Sequence, residues 1–192
     1  MLDLRPAAAP DRTALRRVRP TGEERSFASD ELIVSKTDPR GVINYANDVF
    51  LKVSGYSRSE LIGKPHSIVR HPDMPRAVFQ LLWETLAGKR EFFAYVDNLA
   101  ADGAAYWALA HITPSYGYDG AVDGYHANLR SPDPGVVAVI RPLYQRLRAE
   151  EERHTNPAAA LAASTALLQQ LITERAPSYE AFIWSLIGSR AV

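Results

Sequence analysis

Apolar positions along the chain switch between two spacings, and the switches mark out the elements. Leu32-Ile33-Val34 is a short β-prone run, Asp38-Pro39-Arg40-Gly41 is turn chemistry, and Val42-Ile43-Asn44-Tyr45 is a second run, so the three predict a hairpin. Asn47 then stands where it can cap a short helix over 48–53, with Val49, Phe50 and Val53 on one face and Gly55 at its end. Ser57 and Glu60 have capping-box spacing and open another short helix with Leu61 and Ile62 inward, broken by Gly63-Lys64-Pro65. A longer helix is predicted over 75–87. Val78, Leu81, Leu82 and Leu86 form its apolar stripe, Phe79 and Trp83 lie on an adjoining flank, and Gly88 stops it. Strand patterns follow over 91–99, 105–114 and 124–130, separated by turns at Ala101-Asp102-Gly103 and around Gly117, Asp119 and Gly120.

The two ends of the chain read differently. Residues 1–28 are rich in Arg, Ala and Pro with weak periodicity, which predicts a flexible tail with one helical turn around 13–18. Beyond 132 the spacing is helical. Val136, Val139, Ile140, Leu143 and Leu147 predict a helix over 134–153, kinked or restarted at Pro142. Asn156-Pro157 opens a second helix bearing Leu161, Leu168, Leu171 and Ile172; Pro177-Ser178 breaks it, and a third carries Phe182, Ile183 and Leu186. The expected organisation is a tail (1–28), an α+β domain (29–132) and a helical annex (133–192). An annex of roughly 60 residues is small to be stable alone, so it is expected to pack on the sheet, dimerise, or bury a face against a partner.

One stretch does not belong to this periodicity. In Ile68-Val69-Arg70-His71-Pro72-Asp73-Met74-Pro75 a cation, an imidazole and a carboxylate fall within four residues while two prolines pin the backbone. Pro75 suits the first position of the following helix, and Asp73 is close enough to favour that helix's positive end. Such a rigid polar hook can hold an anionic or polar ligand, or Arg70 and Asp73 can simply pair and cap.

Composition narrows the classes. Hydrophobic residues make up 46% of 192, enough for a packed interior, and 22 Lys plus Arg balance 22 Asp plus Glu, so no global field recruits nucleic acid or an anionic membrane. The absence of cysteine removes disulfides, thiolate iron–sulfur ligation and a cysteinyl flavin adduct. No run of about 18 apolar residues predicts a membrane span, and the N-terminus lacks the apolar core of a signal peptide, so a cytoplasmic location is expected. No Ser-His-Asp order, phosphate-loop pattern or HExxH appears, and an enzyme is not expected.

Thr37-Asp38, Gly41, Ile43, Tyr45-Ala46-Asn47, Ser54-Gly55-Tyr56, Glu60-Leu61-Ile62-Gly63, Tyr106-Trp107 and Gly124-Tyr125 together resemble a PAS sensor domain across 31–130. The string Arg70-His71-Pro72-Asp73-Met74-Pro75 resembles the aerotaxis-receptor type, which binds FAD non-covalently and reads cellular redox state. The annex, with Pro142-Leu143-Tyr144 and Ser178-Tyr179-Glu180-Ala181-Phe182, looks like the stand-alone PAS partner of bipartite energy-taxis systems. The resemblance implies a five-stranded antiparallel sheet in the order 2-1-5-4-3 with helices on one face. It also implies output to a separate methyl-accepting chemotaxis-type transducer or other signalling protein, with a homodimer left open.

It further implies that FAD lies between the sheet and the 75–87 helix, with the flavin residues falling on Asn47, Arg70, His71, Asp73, Phe79, Trp83, Phe92 and Asn98. Each has a structural alternative: Asn47 as helix cap, Arg70 and Asp73 as a pair, His71 as a lock on the hook. Asn98 is the candidate switch, because reduction turns a flavin ring acceptor into a donor and an amide can answer by rotating. The chain departs from the family at Phe92, where tryptophan is usual, at Asp97, where lysine is usual, and at Asp102-Gly103-Ala104-Ala105. Two other readings stay open: a haem PAS domain ligated by His66, His71, His111 or His126, and a ligand-free adaptor that only docks proteins.

Overall fold

The computed structural model describes residues 18–188. Strands β1 (Leu32–Thr37) and β2 (Ile43–Ala46) form the first hairpin. Helices α1 (Asp48–Ser54) and α2 (Arg58–Leu61), a 3-10 turn (His66–Val69) and α3 (Arg76–Ala87) follow. Strands β3 (Phe92–Leu99), β4 (Ala105–Tyr116) and β5 (Val122–Arg130) then complete the domain. The sheet is antiparallel throughout, in the order β2-β1-β5-β4-β3. Gly124 has to be a glycine, because a Cβ there would sit 2.2 Å from the Thr37 carbonyl on β1.

Alternation assigns the two faces. Ile33 on β1, Tyr106, Ala108 and Ala110 on β4, and Ala127 and Leu129 on β5 are buried with Phe50 and Val53 of α1, Leu61 of α2 and Val69. This is the inner face, and α1 to α3 lie on its side. The odd-numbered residues of β4 point to the other face. There Trp107 stacks at 6.0 Å on Tyr144 of α4 (Pro134–Glu152).

The annex of α4, α5 (Pro157–Thr173) and α6 (Tyr179–Gly188) wraps the β3 end of the sheet. Leu143 and Leu147 of α4, Leu168 and Leu171 of α5, and Phe182 and Ile183 of α6 share one core with Val78 and Leu82 of α3. Helix α4 runs unbroken through Pro142, the missing hydrogen bond being offset by the buried flanks Ile140, Leu143 and Tyr144.

The segment expected to be a tail is ordered where it is described. Thr21 and Arg25 donate backbone hydrogen bonds to Gly103 on the β3–β4 turn and Ala105 at the start of β4, and Phe27 is buried. Glu24 pairs with Arg141 of α4 at 2.6 Å, and Arg25 pairs with Asp102. Gly103 is needed here, with φ 91° and the Arg19 carbonyl 2.4 Å from where a Cβ would stand. Except for Val18, the helical turn expected at 13–18 lies outside the described residues.

Candidate functional site

The hook extends the sheet at its open edge. Arg70 bridges Asn98 antiparallel, the His71 N–H donates to the Asp97 carbonyl at 3.3 Å, and the Asp97 N–H donates to Met74 Sδ at 3.2 Å. The next outward carbonyl, Tyr95, accepts from the Tyr144 hydroxyl of α4 at 2.8 Å. The outward Asp97 N–H and carbonyl and the Tyr95 carbonyl of edge strand β3 are thus satisfied by the hook and the annex.

Within the hook, the Arg70 guanidinium lies 3.8 Å from the centre of the Phe79 ring and donates to the Met74 carbonyl at 3.1 Å. His71 is 6% exposed, and its Nδ1 accepts from the Asp73 N–H at 3.2 Å. The neutral imidazole therefore carries its proton on Nε2. Burial pulls the His71 pKa below its ordinary value, helped by Arg141 and opposed by Asp73. Asp73 does not cap α3. Its side chain is 80% exposed, and the Arg76 N–H is instead taken by Glu151 of α4 at 2.6 Å.

The inner face beside the hook has a floor of small side chains, Ala94, Ala108, Ala110 and Ala127, all buried. At its β3 end, Asn98 and Tyr106 are cross-strand neighbours, 6% and 0% exposed. Asn98 Nδ2 and the Tyr106 hydroxyl are buried and have no hydrogen-bond partner among the described residues. Two unpartnered polar groups side by side on an apolar floor are costly unless something else meets them. Burial also raises the Tyr106 pKa well above its ordinary value, so the hydroxyl stays a donor. Trp83, 44% exposed, lies toward the far end of α3, edge-on to Tyr125 at 5.6 Å and against Gly41 of the first hairpin.

The expected site residues therefore divide. Arg70, Phe79 and Asn98 converge at one end of the floor, with Trp83 at the other and His71 at the strand edge. Asn47 spends its amide on structure: Oδ1 accepts from Val34 and Phe50 N–H groups at 3.0 Å, and Nδ2 donates to the Leu32 carbonyl at 2.8 Å. The Phe92 ring stacks on Tyr179 of α6 at 5.3 Å, and Asp73 faces outward.

Two histidines named as haem ligands stand on the outer face. His111 stacks on Phe93 at 4.1 Å and meets Glu91 at 2.7 Å; His126 alternates with the inner Tyr125 and Ala127. His66 sits near the inner core with Nε2 3.0 Å from the Ser35 hydroxyl and its ring stacked on Phe50, and burial lowers its pKa to about 4.

Sequence reasoning missed Tyr106 and Glu151. The signal for Tyr106 was the alternation Tyr106, Ala108, Ala110, which puts the hydroxyl on a small-residue face. The signal for Glu151 was an acid in register with the apolar stripe Ile140, Tyr144, Leu147.

This sheet order, the helices crossing one face and the polar hook against the edge strand define a PAS-type sensor domain. The family profile described as PAS fold matches residues 33–131, and the chain belongs to that family. It is 37% identical over 129 residues to the aerotaxis receptor of Escherichia coli (strain K12), covering 67% of this chain and 25% of that protein. It is 32% identical over 115 residues to the nitrogen fixation regulatory protein of Klebsiella pneumoniae, covering 60% of this chain and 22% of that protein. The chain thus spans about a quarter of the length of these relatives. Among solved structures, the dark form of the blue-light photoreceptor Aureochrome1 LOV shares the fold, with TM-score 0.51 and 21% identity over 57% of this chain and 82% of that one. Among the described residues no helix is long and apolar enough to cross a membrane, and no acid, histidine or cysteine cluster could hold a metal ion.

Proposed function

We propose that this PAS domain binds FAD non-covalently on its inner face and reports redox state to a separate signalling protein. The observation that carries the reading is the buried pair Asn98 Nδ2 and Tyr106 hydroxyl, unpartnered above an alanine floor. An isoalloxazine is planar, apolar over most of its area, and lined along one edge by carbonyl and nitrogen acceptors. Alanine methyls suit its face, and two donors suit its edge. Arg70 and His71 stand where they can meet the more polar part of the ligand, and Phe79 and Trp83 form the wall on the helix side. Asn47 and Phe92 support the site through hydrogen bonds and packing, and Asp73 through its backbone N–H on His71 Nδ1. The similarity to the aerotaxis receptor supports a redox-sensing role, and absence of cysteine excludes a thiol adduct.

A bound flavin supplies reversible redox chemistry, in which a ring acceptor becomes a donor on reduction. Asn98 can answer by turning its amide to present oxygen in place of nitrogen. Its neighbour Asp97 points to the other face, among the residues under α4, so a shift of this one strand reaches the annex. Output through 134–187 to a methyl-accepting chemotaxis-type transducer follows, since a switch requires contacts that differ between the two redox states.

Reconstitution tests the reading. FAD is expected to bind the wild-type chain, and Asn98→Ala and Arg70→Ala to weaken it about 10- to 100-fold, the value of one charged or buried hydrogen bond. Unchanged flavin content in both variants after dilute dialysis would remove these residues from the site. Hydrogen exchange on oxidised and dithionite-reduced protein tests the output: equal protection across 134–187 in the two states would show that the annex does not carry the signal.

A further inference from the structure

Beside the hook lies an open groove of about 580 Å³, within the ~300–1,000 Å³ usual for small-molecule sites. Its wall carries Arg70 of the hook, Arg76 at the first turn of α3 and Arg148 of α4, with His71, and among the described residues no acidic one lines it. In a chain whose formal net charge is zero, three guanidinium groups on one groove are a local concentration of positive charge. The Arg76 guanidinium has no hydrogen bond or ion pair among the described residues. His71, nine-tenths buried, carries its neutral-form proton on Nε2, which also lacks a partner there. Arg148 holds Glu151 at 2.7 Å and the exposed Glu152 at 3.2 Å; the second partner is in water and can be displaced.

We propose that the annex builds one wall of the ligand site. In this arrangement Arg148, with Arg76 and Arg70, holds the diphosphate of a flavin dinucleotide whose ring lies on the inner face, and the ligand's anionic end ties the sensor to the annex. This rests on the flavin reading above and adds to it a residue from outside the PAS domain. Bidentate guanidinium contacts suit phosphate oxygens, and three of them distinguish a diphosphate from an uncharged flavin. Coupling is then reciprocal: the dinucleotide stabilises annex docking as much as docking tightens the dinucleotide.

The test compares FAD, FMN and riboflavin on the full chain by flavin fluorescence. Arg148→Gln and Arg76→Gln are each expected to weaken FAD about tenfold or more while leaving riboflavin unchanged, with Arg148→Lys recovering part of the loss. Inorganic pyrophosphate should compete with FAD on the wild-type chain and lose that effect in Arg148→Gln. FAD, and not riboflavin, should raise hydrogen-exchange protection in α4 and α5. Arg76→Gln guards against a folding defect, since that side chain is exposed. Equal losses of FAD and riboflavin in Arg148→Gln, or unchanged FAD affinity in both glutamine variants, would overturn the proposal and leave the flavin reading standing. A wild-type chain that binds no flavin would overturn both.

Discussion

Glu151 offers the sharpest test of how the annex is attached. It is 5% exposed, Oε1 accepts from the Arg76 N–H at 2.6 Å and the Ser164 hydroxyl at 3.0 Å, and Oε2 meets Arg148 at 2.7 Å. One carboxylate thus closes the start of α3, a turn of α5 and its own helix. Replacing it with alanine removes two charge-assisted bonds of about 1.5–3 kcal/mol each and leaves Arg148 half-buried without its inner partner. The expected cost is about 3–5 kcal/mol, a large fraction of the ~5–15 kcal/mol of an ordinary domain. Urea unfolding followed by tryptophan fluorescence and far-UV circular dichroism measures it. Asp73→Ala is the matched control, since the same helix end is involved but the side chain is in water. It should cost under about 0.5 kcal/mol. A Glu151→Ala loss below about 1 kcal/mol, or a larger loss for Asp73→Ala, would refute the assignment of the cap.

Two titrations should pull stability in opposite directions. Burial raises the Asp97 pKa from 3.8 to about 7, so between those values the folded state keeps a proton that the unfolded chain has released, and stability falls as pH rises through 7. Asp97→Asn should therefore raise the melting temperature more at pH 8 than at pH 5; equal gains at both would mean the carboxyl does not titrate. His66 works the other way. Its pKa is lowered from 6.5 to about 4, so the folded state excludes a proton that the unfolded chain takes up, and stability is lost as pH falls through that window. His66→Gln should flatten the acid limb there, and an unaltered limb would assign it to carboxylates alone. Trp83→Ala should weaken flavin binding several-fold with little change in stability, since the ring is nearly half exposed. A large drop in unfolding midpoint would instead make Trp83 a packing residue.

The fold was legible because local chemistry and periodicity agree over 31–130. Turn residues, the capping box at Ser57 and Glu60, and the stripe on α3 all stand where expected. Strand ends were read short, with β4 reaching Tyr116 and β5 starting at Val122, because the long hairpin continues pairing past Pro114 without apolar alternation. The hook was legible as a rigid polar segment, but not what it binds to: an extended stretch gives no sign that its backbone will pair with Asp97 and Asn98. Asp73 read as the cap of α3 because it is near in sequence, whereas the acid that caps arrives from 75 residues away. The N-terminal segment read as tail because a single extended strip pairing on a turn has no period to detect. His111 and His126 were placed on the right strands, yet their face depends on a register that only Ala110 and Ala127 reveal.

A flavin on the inner face would show in the visible spectrum of freshly purified protein, followed by chromatography of the ligand released on denaturation. The expected result is yellow protein with the two-band spectrum of an oxidised flavin, bleached by dithionite, and a released ligand that runs with FAD. A haem Soret band, or protein that stays colourless after incubation with excess FAD and gel filtration, would contradict it.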